Sequence, residues 1–101
     1  FVYVTDVVDA YCALAEKKPK DTFIFNIGSQ VQTSVQQVVD AAQSIWSKPV
    51  KVTWDSNPAR VWETMTCRAD TSVAQATLDW KCTTDLASGL EKTLTWYRDN
   101  A

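Results

Sequence analysis

The chain has 101 residues, of which 46% are apolar and 22% charged, and its formal net charge is −2. This length is enough for one small domain and too short for two, so we expect a single domain over residues 1–101. The charge argues against nucleic acid as the main partner, because there is no basic excess to neutralise phosphates. No window approaches the ~18 consecutive apolar residues that a membrane-spanning helix needs, so we expect no membrane contact.

The cysteine and histidine content limits the chemistry. The chain has three cysteines, Cys12, Cys67 and Cys82, and no histidine. Because the count is odd and no pair has C-x-x-C spacing, we expect neither a disulfide framework nor a zinc site, and the cysteines favour a reducing, cytoplasmic location. Without an imidazole there is no Ser-His or Cys-His pair. We therefore expect no metal site and no nucleophile that histidine activates.

The first half of the chain predicts two amphipathic helices. Apolar residues recur at helical spacing over residues 5–17, which predicts the first helix. Asp6 is expected to place its negative charge in the first turn, where the helix dipole favours it. The second helix is expected over residues 34–47, opened by a capping box of Thr33 and Gln36.

Short β-rich runs follow the helices. Residues 23–27 (FIFNI) favour a buried strand, and residues 50–54 alternate as in a half-buried strand. Residues 61–67 are expected to be extended. Together with a helical last third, these runs predict an α/β domain of about four helices and two to three short strands.

The last third of the chain, residues 68–100, predicts a helical hairpin. Asp70 is placed to cap the first helix of this hairpin, and Trp80 lies in the elbow between the two helices. The second helix is expected from Thr84 to Arg98, with its apolar residues on one face.

Several motifs in the chain carry a family resemblance. They are V-Y-V-x-D-V-V-D-A at 2–10, F-N-I-G-S at 25–29, A-D-T-S at 69–72, Leu-x-Trp-Lys at 78–81 and T-x-L-x-x-G-L-x-x-T-x-x-W-Y at 84–97. This set of motifs resembles that of the extended short-chain dehydrogenase/reductases, the NAD-dependent nucleotide-sugar epimerases and dehydratases. The resemblance implies that the chain is the carboxyl-terminal, substrate-side portion of such a protein.

The same resemblance implies that the Rossmann cofactor half is missing from these residues. The chain has two glycines, which are too few for the glycine-rich dinucleotide loop, and no Tyr-x-x-x-Lys pair. We therefore expect no catalytic and no cofactor-binding residue here. NAD or NADP is expected only for a full-length family member.

The resemblance also implies a binding site for a nucleoside-diphosphate sugar. In the family, an arginine in the loop after the corresponding strand contacts the diphosphate. Strict alignment places Asn57 at that position, and Arg60 follows three residues later with a planar guanidinium that fits a phosphate. Trp62 can stack on a base or sugar, and Phe1 aligns with an aromatic residue that lies near the nucleotide in some relatives. The alternative is structural: Arg60 lies on the surface, while Trp62 and Phe1 pack the domain.

Three functional interpretations remain open at this point. The chain contributes nucleotide-sugar binding to an epimerase or dehydratase and is inactive alone; or it is a free-standing, non-catalytic binding or self-associating module; or it is a scaffold without a ligand. Surfaces that pack on the cofactor half in the family are expected to be exposed apolar patches here. We therefore expect a homo-oligomer, as a dimer, or packing against such a half.

Overall fold

The computed structural model describes residues 1–21, 23–46, 49–54 and 67–101. Within these ranges the chain forms four α-helices: α1 Val4–Lys17, α2 Val35–Ile45, α3 Ser72–Leu78 and α4 Leu86–Asn100. Helix α1 packs against α3, and α2 packs against α4. The sequence predicts all four helices, and the observed ends of α1, α2 and α4 lie within two residues of the predicted ends. Across the described ranges, no helix combines the length and the apolar character that a membrane crossing requires.

The predicted α/β class is wrong, because the described residues contain no strand. Residues 23–27 and 50–54, both expected as strands, make no backbone-to-backbone hydrogen bond to another described segment. A β-rich run becomes a strand only when a neighbouring strand completes its ladder, and an isolated run has no such partner. Of the run 61–67, only Cys67 lies within the described residues, and it is not in a strand.

The N-terminus of α2 lies one residue later than the capping pattern predicts. Ser34, not Thr33, is the N-cap. The Ser34 hydroxyl accepts from the Gln37 N–H at 3.1 Å, and the Gln37 side chain accepts from the Ser34 N–H at 2.8 Å. The predicted box of Thr33 and Gln36 is therefore corrected to Ser34 and Gln37, which satisfies the same two free donors.

The two helices of the predicted hairpin form, but they do not pack against each other, because α3 contacts α1 and α4 contacts α2. Asp79 follows α3 in the left-handed region, with φ at 56°, where a side chain costs more than glycine does. Asp70 accepts from the Ser72 N–H at 3.0 Å. The N-cap itself is Thr71, so Asp70 satisfies a free donor of the first turn from one position further out.

The buried core lies between α1 and α3 and is small. Its buried hydrophobic residues are Ala10, Ala74, Leu78 and Trp80, with Ala13, Leu14, Phe25, Ile27 and Cys82 packed around them. Gly28 is buried beside this cluster, and a Cβ built on it would lie 2.7 Å from the Cβ of Ala69. A glycine is therefore needed where these two segments of backbone cross.

Candidate functional site

A cleft of about 390 Å³ lies at the N-terminal ends of α1, α2 and α4. Three segments that each lead into a helix line it, and the first two turns of α4 complete it. The lining residues are 1–3, Ser29, Val31, Thr33, 82–86, Gly89, Leu90 and Thr93. The cleft therefore brings together residues 1–3, the segment before α2, and the segment that leads into α4.

Tyr3 packs against α4 at one side of the cleft. Gly89 is buried there, and a Cβ built on it would lie 3.4 Å from Cδ2 of Tyr3 and 3.7 Å from Cγ2 of Thr84. The Lys92 Nζ atom lies 5.3 Å from the centroid of the Tyr3 ring, within the range of a cation–π interaction. The Tyr3 ring therefore contacts α4 at two places, the backbone of Gly89 and the ammonium group of Lys92.

The cleft presents aromatic, aliphatic and hydroxyl groups. Phe1 and Tyr3 supply rings, and the described lining residues include one carboxylate, that of Asp85, and no Lys or Arg. Asp85 accepts from the Ser88 N–H at 2.9 Å, and this hydrogen bond lowers the pKa of Asp85. The hydroxyls belong to Ser29, Thr33, Thr83, Thr84 and Thr93. Among the described lining residues an anion would meet a carboxylate and no cationic side chain, so this lining suits an uncharged base or sugar ring better than a diphosphate.

A buried carboxylate lies behind two walls of the cleft. Asp6, in the first turn of α1, is 2% exposed. Its side chain accepts from the Thr83 hydroxyl at 2.8 Å, the Thr83 N–H at 3.4 Å and the Thr84 N–H at 3.0 Å. The Cys82 thiol donates to the same carboxylate at 3.2 Å. The Asp6 carbonyl oxygen accepts from Nε1 of Trp80 at 2.8 Å, so Asp6 fastens α1 to the segment that precedes α4.

These hydrogen bonds keep Asp6 ionised. Burial by itself would raise the pKa of Asp6, but the bonds from Thr83, Cys82 and Thr84 outweigh it and lower the pKa to about 2. Burial, and then the hydrogen bond to Asp6, raise the pKa of the Cys82 thiol. The thiol therefore stays protonated, which makes it a poor nucleophile.

Of the four predicted site residues, the structure describes one and leaves three outside its described ranges. Phe1 lines the cleft and is 66% exposed, so it does not pack into a core. Asn57, Arg60 and Trp62 lie outside the described residues, and their role stays a prediction. Within the described ranges, no group of three or more His, Cys, Asp or Glu side chains is arranged to hold a metal ion.

Sequence reasoning misses the role of Asp6. The local pattern assigns its charge to the helix dipole, and Asp6 does lie in the first turn of α1. Its hydrogen-bond donors, however, lie 76 to 78 residues further along the chain. No local spacing predicts a contact of that range. The available signal is the pair Thr83-Thr84, whose hydroxyl and N–H groups need acceptors before α4 begins.

Comparisons with known proteins give partial matches to sugar-nucleotide epimerases. The chain is 30% identical over 100 residues to UDP-arabinose 4-epimerase 1 of Arabidopsis thaliana, a match that covers 97% of the chain and 23% of that protein. It is 29% identical over 101 residues to the UDP-glucose 4-epimerase of Mycolicibacterium smegmatis, covering 100% of the chain and 31% of that protein. It is also 24% identical to the UDP-glucose 4-epimerase of Neisseria meningitidis.

The chain spans less than a third of the length of these relatives. No family model and no solved structure matches it. The resemblance that the motifs indicate is nevertheless confirmed: over nearly its whole length, the chain matches a portion of the UDP-sugar 4-epimerases, which are extended short-chain dehydrogenase/reductases.

Proposed function

We propose that this chain is the carboxyl-terminal portion of an NAD-dependent nucleotide-sugar epimerase or dehydratase, contributes nucleotide-sugar binding, and does not catalyse alone. The observation that carries the proposal is the match of 97–100% of the chain to parts of proteins named UDP-arabinose and UDP-glucose 4-epimerases. Those names make a UDP sugar the ligand to test. The two glycines and the lack of Tyr-x-x-x-Lys support the view that NAD or NADP and the catalytic pair belong to another part of such a protein.

The residues of the cleft suit one part of a nucleoside-diphosphate sugar, and the other part needs a residue from elsewhere. The rings of Phe1 and Tyr3 and the surrounding hydroxyls suit the base or the sugar. The diphosphate needs a cation, and the described lining residues include no cationic side chain. In this proposal Arg60 supplies that cation, while Asn57 and Trp62 contact the ligand beside it.

Calorimetric titration with UDP tests the proposal. We expect the unaltered chain to bind UDP, and we expect Arg60→Ala to weaken binding by about tenfold or more, because hydrogen bonds to a charged group contribute roughly 1.5–3 kcal/mol each. Arg98→Ala is the matched control, since Arg98 is exposed on α4 and its ion pair is with the adjacent Asp99 at 3.3 Å. A chain that releases no heat at millimolar UDP would contradict the proposed function.

Helix α1 supports packing against a further protein surface. One face of α1 contributes to the core, and beside the exposed polar residues of this helix lie three exposed apolar ones: Val4, Val8 and Tyr11 are 63%, 51% and 69% exposed. Their spacing of four and three residues places them in one stripe, here called the outer stripe of α1. An exposed apolar stripe of this kind commonly marks a surface that another protein segment covers. We propose that the outer stripe packs against a dinucleotide-binding half.

The alternative function is a free-standing interaction module that associates with itself. The exposed apolar outer stripe favours this alternative too, with a second copy of the chain as its occupant. Sedimentation equilibrium at increasing concentration tests it. A dimer that dissociates with Tyr11→Lys, and not with Lys17→Glu on the same helix, would support self-association through the stripe. A monomer at all concentrations would contradict the module. A cytoplasmic location belongs to the main proposal, since the cysteines are free in the described structure.

A further inference from the structure

We infer that Asp6 is a positioning residue that sets the width of the cleft. Asp6 does not line the cleft itself. It lies three residues after Tyr3, on the helix into which one wall runs, and its carboxylate binds the segment that forms the opposite wall. One buried side chain therefore fixes the distance between the two walls.

Different atoms of Asp6 contact the core and the residues that line the cleft. The fold contact is made by the Asp6 carbonyl oxygen, which accepts from Trp80 in the core. The cleft contacts are made by the carboxylate, which accepts from Cys82, Thr83 and Thr84. Because different atoms serve the two, Asp6→Asn keeps the backbone contact to Trp80 and alters only the carboxylate that orients the wall.

An amide cannot replace the Asp6 carboxylate without loss of hydrogen bonds. A carboxylate offers two acceptor oxygens and no donor, and here both oxygens accept. The side chain of asparagine has one oxygen and one NH2 group, so the two donors that face the replaced oxygen lose their acceptor. Thr83 and Thr84 then lose their fixed orientation, and Thr84 is one of the groups next to Gly89 across from Tyr3.

The separation of Tyr3 from α4 reports the width directly. The nuclear Overhauser cross-peak between the Tyr3 ring and the Gly89 Hα protons spans the packed contact described above, and we expect it to be strong in the unaltered chain. In Asp6→Asn we expect it to weaken severalfold, and we expect amide exchange at Thr84 to accelerate about tenfold. Cross-peaks within α2 should not change. Asp9→Asn, an exposed acid on the same helix, should leave the Tyr3–Gly89 cross-peak unchanged.

A second pair of variants keeps the test decisive if Asp6→Asn does not fold. Thr83→Val removes the hydroxyl that donates to Asp6 at 2.8 Å, and Thr83→Ser restores it. We expect the cross-peak to weaken in Thr83→Val and to recover in Thr83→Ser, which a general loss of stability would not produce.

The consequence for ligand affinity rests on the proposed function, and the same samples separate the two. If the unaltered chain binds UDP, we expect weaker binding by Asp6→Asn in step with the weaker cross-peak. An unchanged cross-peak in folded Asp6→Asn or Thr83→Val overturns the assignment of Asp6, whether or not UDP binds. An unaltered chain that shows the cross-peak and its loss in the variants, but binds no UDP, supports the assignment and contradicts the proposed function.

Discussion

Replacement of Asp6 by alanine is expected to be among the most costly single changes in the chain. The carboxylate accepts four hydrogen bonds, and alanine accepts none. Thr83 is exposed and can turn its donors to water, but Thr84 and Cys82 are half-buried and cannot do so freely. A hydrogen bond to a charged group contributes about 1.5–3 kcal/mol, and two such bonds are lost without replacement. We therefore expect the free energy of unfolding of Asp6→Ala to fall by about 3 kcal/mol at neutral pH.

The pH dependence gives an independent estimate for the same carboxylate. The pKa of Asp6 falls from its usual 3.8 to about 2 on folding, and this difference corresponds to about 2 kcal/mol. Because the folded pKa is the lower one, this stabilisation is fully present above pH 3.8 and is lost as the pH falls through about 2. Asp6→Asn should lack this part of the acid dependence, since an amide does not titrate.

Urea unfolding followed by tryptophan fluorescence at pH 7, 4 and 2 measures both effects. Asp9→Asn is the control, because it removes an exposed acid from the same helix. If the free energy of unfolding of Asp6→Ala lies within about 0.5 kcal/mol of that of the unaltered chain, then the hydrogen bonds of Asp6 are not the stabilising contacts described above.

Five further substitutions have effects that follow from local geometry. Gly28→Ala should lower the free energy of unfolding by about 1–3 kcal/mol, because its Cβ would meet the Cβ of Ala69 at 2.7 Å. Gly89→Ala should be tolerated, because its Cβ would meet Tyr3 at 3.4 Å. The urea midpoints of the two variants measure this difference. Trp80→Phe should cost about 1 kcal/mol through the lost bond to the Asp6 carbonyl oxygen, and Trp96→Phe, at an exposed position, should cost less than half of that. Asp79→Gly should raise the thermal midpoint, with up to ~1 kcal/mol gained from relief of the left-handed conformation, and a lower midpoint would show that the Asp79 side chain stabilises the turn.

The helices could be predicted from the sequence because their signals are local. The spacing of apolar residues and the positions of capping side chains lie within each segment, and α1 and α4 appear within two residues of their predicted ends. The capping box failed by one residue because Thr33-Ser34 and Gln36-Gln37 offer two overlapping registers, and the observed one is Ser34 with Gln37.

The strands could not be predicted correctly for the opposite reason. The run FIFNI at 23–27 has β-rich composition, but a strand also needs a neighbour at the right distance, and composition does not supply one. In the described residues this run instead contributes Phe25 and Ile27 to the helical core, while Ile24 remains 88% exposed. A similar limit applies to the cleft, whose walls come from segments far apart in the chain.

The distribution of apolar surface distinguishes the open interpretations better than the cleft does. A scaffold without a partner has no reason to keep Val4, Val8 and Tyr11 in one exposed stripe, because that surface favours aggregation and contributes nothing to the fold. A protein that covers the stripe would contact the same helix that carries Asp6 on its inner side. Since Asp6 holds one wall of the cleft, a contact that shifts or steadies α1 is transmitted to the cleft through a single buried carboxylate. Partner packing and ligand binding are therefore expected to be coupled, and the cleft is expected to have its binding geometry when the outer stripe is covered.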